Sequence, residues 1–289
     1  MLSSYIISID CNKRMQAAFA YGHTLLQVRR TLVMDFATII GIVFGAGMIF
    51  AAFLVEGGNP AALFLVSPFM IVFGGTFGAL TTSFTLKEIF SIPGLIMNAM
   101  MLAKGNDASI RRLIDVMVNI AEKARREGVL SLESDIQGEL SDKKYDPMLR
   151  KGLRLTVDGS EPELIKHMLE NEIGFYEEQQ KKNAAIFEAA GGFSPTMGII
   201  GTVMGLINVL GNLANPDELG PAVAMAFVAT LWGIGSANLF FLPIGAKLKL
   251  KMKQEVVQKE LIIEGVMSIQ AGENPRTLKE KLDVFLSGR

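Results

Sequence analysis

The chain is 289 residues long, half of them hydrophobic and only 20% charged, with a net charge of −1 and a mean hydropathy of +0.35. A soluble chain of this length carries more charge and less Gly, Met and Phe. The near-zero net charge says little, because the charge is segregated rather than absent, and the one cysteine, Cys11, excludes an internal disulfide and a cysteine-based metal cluster.

Residues 1–33 form an N-terminal extension whose basic residues, Lys13, Arg14, Arg29 and Arg30, are interleaved with polar ones. No compact apolar run ending in a small-residue cleavage site precedes Arg30, so the segment does not read as a signal peptide. From Met34 to Leu86 there is no Lys or Arg. The uncharged run Phe36–Val55 is predicted to be a first membrane span, since at about 1.5 Å per residue it covers a hydrocarbon core of roughly 30 Å. A turn, Glu56-Gly-Gly-Asn-Pro60, leads to a second span over about Ala61–Leu86. Residues 34–86 therefore hold two transmembrane helices.

Residues 87–192 form a polar block. Ile110, Leu113, Ile114, Met117 and Ile120 keep the three- and four-residue spacing of an amphipathic helix over Ile110–Ala124, which Gly128 interrupts. Pro162 suits the first turn of a long helix over Glu163–Ala190, with only Gly191-Gly192 between it and the next apolar run. Residues 193–246 again lack Lys and Arg, and hold a third span, Phe193–Leu213, a turn at Asn215–Pro221, and a fourth span, Ala222–Ile244. Residues 247–289 begin with Lys247, Lys249, Lys251 and Lys253 and form a helical tail, stopped at Gly272–Pro275 and ended by a short helix over Leu278–Phe285. With no strand signal, the expected fold is all-α: a polytopic membrane protein with four transmembrane helices and a helical cytoplasmic domain. Both short turns lack basic residues and all opposite flanks have them, which places both termini and the middle block in the cytoplasm.

Catalytic chemistry has no support. His23 and His167 have no ligand-spaced neighbours, and there is no P-loop, no G-x-S-x-G and no paired carboxylate inside the spans. No Asp, Glu, His, Lys or Arg lies near the middle of any span, although a proton or cation relay usually needs such a group. The chain either moves no ions or borrows its ionisable residue from a partner. What the spans carry is small or weakly polar. Gly41/Gly45, Gly74/Gly78 and Gly201/Gly205 are G-x-x-x-G pairs, read as helix packing within the chain or between copies. Pro195 and Pro243, near the cytoplasmic ends of the third and fourth spans, permit kinks. Thr202 and Thr230 either bond to their own helices or line a pore.

Several segments resemble the MotA/PomA family of flagellar motor stator subunits. They are Gly191-Gly-Phe-Ser-Pro-Thr-Met-Gly-Ile-Ile-Gly-Thr-Val-Met-Gly-Leu-Ile207, Ala226-Phe-Val-Ala-Thr-Leu-Trp-Gly-Ile-Gly-Ser-Ala-Asn238 with Leu242-Pro243, Ala124-Arg-Arg-Glu-Gly-Val-Leu-Ser-Leu-Glu133, and Ile263-Glu-Gly-Val-Met-Ser-Ile-Gln-Ala-Gly-Glu-Asn-Pro-Arg276. The resemblance runs from Met34 to the C-terminus. Residues 1–33 depart from the family pattern, and read either as an upstream start-codon artefact or as an amphipathic extension along the membrane surface.

The resemblance implies a non-enzymatic subunit of the bacterial inner membrane that forms a homo-oligomeric ring, expected to be a pentamer, with no cofactor and no nucleic-acid partner. The ring would surround a MotB/PomB-like protein with a peptidoglycan-binding domain, whose single span carries the ion-accepting aspartate. Proton or sodium flow would then turn the ring against the rotor protein FliG. By motif position, Arg125 and Glu133 match the rotor-contacting pair, Pro195 and Pro243 the conformationally coupled prolines, and Thr202 and Thr230 positions on the ion pathway. From the residues alone Arg125 and Glu133 are a solvated helix face. The related ExbB/TolQ energisers typically have three spans and a different cytoplasmic segment, and a non-conducting membrane scaffold would equally lack intramembrane charge. Threonine at both 202 and 230 occurs in sodium-type relatives without being exclusive to them, so the coupling ion stays open.

Overall fold

A computed structural model describes residues 36–101, 107–138, 140, 145–214 and 216–287, so the extension at 1–33 lies outside the described residues. Every described element is a helix or turn, and four helical stretches are long and apolar enough to cross a membrane. The first span, α1 (Phe36–Val55), has the expected bounds. It ends where Gly57 takes a φ of 81°, a left-handed conformation open to glycine.

The second span differs from the single helix expected over Ala61–Leu86. Asn59 caps a 3-10 turn, Pro60–Leu63, by accepting from the Ala61 N–H at 3.0 Å. There follow α2 (Val66–Phe69), a π segment (Met70–Gly74) and α3 (Gly75–Ser83). The span stops at Ser83, short of Leu86, because Thr85 and Glu88 form a reciprocal capping box that starts a new helix, α4 (Leu86–Met100). The Glu88 carboxylate accepts from the Thr85 backbone N–H and hydroxyl, each at 2.9 Å, which holds its pKa below the usual carboxylate range.

The polar middle block begins with α5 (Asp107–Glu127), whose predicted stripe is buried throughout, and Gly128 ends it at a φ of 85°. After a 3-10 turn (Val129–Leu132) come α6 (Glu133–Gln137) and α7 (Pro147–Val157). The third span is part of a 50-residue helix, α8 (Pro162–Gly211), which passes through Gly191-Gly192 without interruption and is about 75 Å long at 1.5 Å per residue. The fourth span starts at Pro216 rather than Ala222, since Pro216 occupies the helix start, where a missing N–H costs nothing. It comprises α9 (Pro216–Ser236), a second π segment (Ala237–Phe241) and α10 (Leu242–Gln270). The tail helix, α11 (Pro275–Ser287), is longer than expected at both ends, with Asn274 accepting from the Arg276 N–H at its start.

The third and fourth spans and their polar extensions lie antiparallel and form the spine of the molecule. At one end a head packs around Ile110, Met117, Leu149, Leu153, Ile165, Leu169, Leu261 and Val266. A second cluster joins α4 to the spine through Ile89, Leu95, Ala184, Phe187, Ile244 and Leu248. There Lys251 is buried, its ammonium donating to the Asn98 backbone carbonyl and, at 2.7 Å, to the Asn98 Oδ1 near the C-terminal end of α4.

Between head and spans a polar clasp ties three helices. Asp146 caps α7 and pairs with Lys259 of α10 at 3.2 Å. The Lys259 ammonium sits 5.1 Å from the centroid of the Tyr176 ring, and the Tyr176 hydroxyl donates to Glu255. Lys259→Ala is expected to cost about 2 kcal/mol, below the full cost of an orphaned buried charge because Asp146 keeps 19% of its side-chain surface in solvent. Thermal melting of the detergent-solubilised chain measures it, with Lys259→Arg as the charge-preserving control.

Candidate functional site

The third and fourth spans meet through their backbones. A Cβ on Gly198 would lie 3.0 Å from the Ala229 carbonyl oxygen and 3.3 Å from the Gly233 Cα. One on Gly233 would lie 2.8 Å from the Ser194 carbonyl oxygen and 3.0 Å from the Gly198 Cα. One turn further along α8, a Cβ on Gly201 would press on the Ala229 Cβ at 2.5 Å, and one on Gly205 on the Ala226 Cβ at 2.7 Å. Gly201 and Gly205 thus pack within the chain. The ladder is two-sided, with Gly198, Gly201 and Gly205 facing Ala226, Ala229 and Gly233. That matched spacing of small residues on both spans is the signal that a search for G-x-x-x-G alone passes over.

The other glycine pairs behave differently. Gly45 faces the Leu239 Cδ2 with a would-be Cβ distance of 3.1 Å, whereas Gly41, Gly74 and Gly78 meet nothing within 4 Å. In the second span it is Gly75 that takes a close neighbour, the Met197 sulfur at 2.6 Å from its would-be Cβ.

Hydroxyl groups bracket the crossing. On one side the Thr202 and Thr230 hydroxyls bond directly to each other, with the Gly198 and Ala226 carbonyls within 3.1 Å and 3.2 Å of the Thr202 Oγ1. Their own helices and the opposite span therefore share these groups. On the other side Ser194, fully buried, lies 3.1 Å from the Gly233 carbonyl and 2.7 Å from the Ser236 hydroxyl, which in turn donates to the Trp232 carbonyl. Ser194, Ser236, Gly198 and Gly233 were not singled out from the sequence. Pro195 follows Ser194 inside α8, and Pro243 follows the π segment at the start of α10. Trp232 fixes the second span to this pair: its indole N–H donates to the Leu63 carbonyl at 2.7 Å, and its ring lies 5.9–6.4 Å from those of Phe64, Phe69 and Phe73.

All the polar atoms bracketing the crossing are hydroxyls or backbone carbonyls, neutral groups that suit a low-dielectric interior. Among the described residues, no cluster of His, Cys, Asp and Glu could hold a metal ion.

Arg125 and Glu133 lie elsewhere, on the surface of the head. Arg125 is in the last turn of α5 and Glu133 opens α6, both exposed, with the Gly128 turn between them. Glu133 accepts from the Gln137 amide at 3.2 Å, and Lys123 pairs with Asp135 at 2.8 Å beside them. The stretch of α8 from Ile165 in the head core to Ser194 is roughly 44 Å long at about 1.5 Å per residue.

Comparison with known proteins places this architecture. The family described as "MotA/TolQ/ExbB proton channel family" matches residues 140–261, and "Motility protein A N-terminal" matches residues 39–128. Motility protein A of Bacillus subtilis (strain 168) is 36% identical over 256 residues, covering 89% of this chain and 92% of its own. Chemotaxis protein PomA of Vibrio alginolyticus is 33% identical over 254 residues, covering 88% and 96%. The solved structure of C. jejuni MotAB superposes with a TM-score of 0.79 at 32% identity, over 87% of this chain and 96% of that one. The flagellar MotAB stator complex from Bacillus subtilis gives 0.78 at 37% identity, over 86% and 94%.

The crossing makes a sharp contrast testable. Gly233→Ala sets a methyl against backbone atoms that cannot swing aside, so it is expected to destabilise the chain by about 1–3 kcal/mol. Gly78→Ala adds a methyl to open space inside α3, where Ala is the better helix former, and is expected to leave the isolated chain's melting temperature unchanged or raised.

Proposed function

The chain belongs to the MotA/PomA family of flagellar motor stator subunits, and from that membership we propose that it converts ion flow, together with a MotB/PomB-like partner, into torque on the rotor protein FliG. The observation that carries the proposal is continuity. The two spans that form the hydroxyl-bracketed crossing continue as helix into the head, α8 unbroken and α9 through the π segment into α10, so a movement at the crossing is carried to the head along helical backbone. Arg125 and Glu133 on the head are the rotor-contacting pair in this reading, and they are exposed.

Deep in the bilayer the chain offers hydroxyls and carbonyls, and a cation needs a carboxylate that these spans do not carry near their middles. A partner span bearing an aspartate supplies it. Thr202 and Thr230 then act on the ion pathway through their shared hydrogen bond, and Pro195 and Pro243 let the two spans change shape. Gly41, Gly74 and Gly78, which meet nothing within the chain, serve packing against neighbouring copies in a homo-oligomeric ring, a pentamer by resemblance. The basic flanks put both termini and the head in the cytoplasm and the protein in the bacterial inner membrane. The match of the motility protein A N-terminal region over residues 39–128 favours a stator over an ExbB/TolQ-like energiser.

Two tests follow. The chain alone, in liposomes, is expected to give no ion leak above background. Co-expression with its partner restores ion-dependent rotation, and changing the partner's span Asp to Asn abolishes it; conduction by the lone chain, or rotation without that Asp, refutes the proposal. Comparing rotation in sodium-free medium with rotation under a protonophore identifies the coupling ion. At the head, exposed charges contribute at most about 1 kcal/mol to stability, so the double variant Arg125→Glu, Glu133→Lys is expected to reach normal membrane levels and lose motility. Normal swimming by that variant removes the rotor-contact assignment.

A further inference from the structure

Each spine helix has a backbone position that proline leaves open, and the two positions lie close together. Pro195 has no N–H, so the Gly191 carbonyl loses its helical donor, although α8 continues on both sides. On the antiparallel neighbour this height is occupied by the π segment Ala237–Phe241: Ser194 meets Gly233 and Ser236 just before it, and Gly191 meets Leu242 just after it. Pro243 then withholds a second donor. π segments insert an extra residue per turn and occur often at functional sites. The first span rests on the same segment, with Gly45 against Leu239.

At this height Leu242 fills a notch left by glycine. A Cβ on Gly191 would lie 2.5 Å from the Leu242 Cδ2 and 2.7 Å from its Cγ. The tight crossing at Gly198 and Gly233 does not survive unless the two helices bend together, and a leucine seated in a glycine notch resists sliding while allowing a change of angle.

We propose that Gly191 and Leu242 are positioning residues of one hinge shared by the third and fourth spans, coupling the opening at Pro195 to the π segment and Pro243. The inference rests on the proposed conformational role of the two prolines.

The experiment uses the full chain with its partner in cells lacking the native copies, reading membrane level, ring assembly and the increment in rotation speed as each stator unit engages. Gly191→Ala pushes a flexible, 39%-exposed leucine out of the notch, and Leu242→Ala empties it. Both are expected to keep normal assembly and lose speed per unit. The double variant Gly191→Ala, Leu242→Ala refills the space with one methyl and is expected to recover speed above the sum of the single losses. Additive losses overturn the inference. So do normal speeds in both single variants while Pro195→Leu and Pro243→Leu lose rotation. Normal speed in the two proline variants refutes the underlying proline role instead, and the hinge with it. If Gly191→Ala fails to accumulate, Leu242 decides alone: slow Leu242→Ala with normal Leu242→Met, whose unbranched chain still reaches the notch, supports the hinge, and normal speed in both overturns it.

Discussion

The structure depends on a contact that contains no side chain. In a bilayer, lipid tails are as apolar as leucine, so two spans gain little by burying apolar surface against each other and are held by close van der Waals packing and hydrogen bonds. The meeting of Gly198 with Gly233 supplies the first, and it makes the second possible. Only with the backbones this close do side chains as short as Ser194 and Thr202 bond to the opposite helix. The alignment set there persists along the spine, where Gly245 packs on the Ala184 carbonyl and Tyr176 finds Glu255. The head is thus built on two rods whose separation is fixed at the crossing.

Polar chemistry changes character along those rods. At the crossing it is neutral, hydroxyl to hydroxyl and hydroxyl to carbonyl. Beyond Lys247 it becomes ionic, with Lys249 paired to Glu188 and Lys259 to Asp146. Charge is costly without water, while a hydroxyl can be satisfied by the carbonyl of its own helix. The same two helices therefore use hydroxyl links in the apolar stretch and ion pairs in the polar one.

Much of this was legible in the sequence. The all-α class, four spans, the bounds of α1 and the buried stripe of α5 follow from charge gaps and periodicity, signals that depend on the medium and on one helix at a time. Details that depend on a partner helix were not. Small residues on α9 acquire meaning only against those on α8, so a one-helix spacing rule marks Gly41 and Gly78, which meet nothing in the chain, and passes over Gly198 and Gly233. The π segments keep an apolar composition and leave no periodic trace over five residues. The stop at Ser83 was missed for a different reason: Thr85-x-x-Glu88 is a readable capping signature hidden beside an apolar run. In the sequence Lys251 is one of four alternating lysines after the fourth span, and nothing local marks it as the one that reaches Asn98.

Trp232 is the chain's only tryptophan, and its indole N–H is committed to a carbonyl at the start of the second span, amid three phenylalanine rings. Tryptophan emission therefore comes from a single place, the seam between the second and fourth spans. Undocking of that seam, by detergent, heat or a packing variant, exchanges the carbonyl and the rings for lipid or water and shifts the emission maximum. The native sequence thus carries a site-specific optical reporter of its own bundle, with no label to attach and no second indole to separate from it.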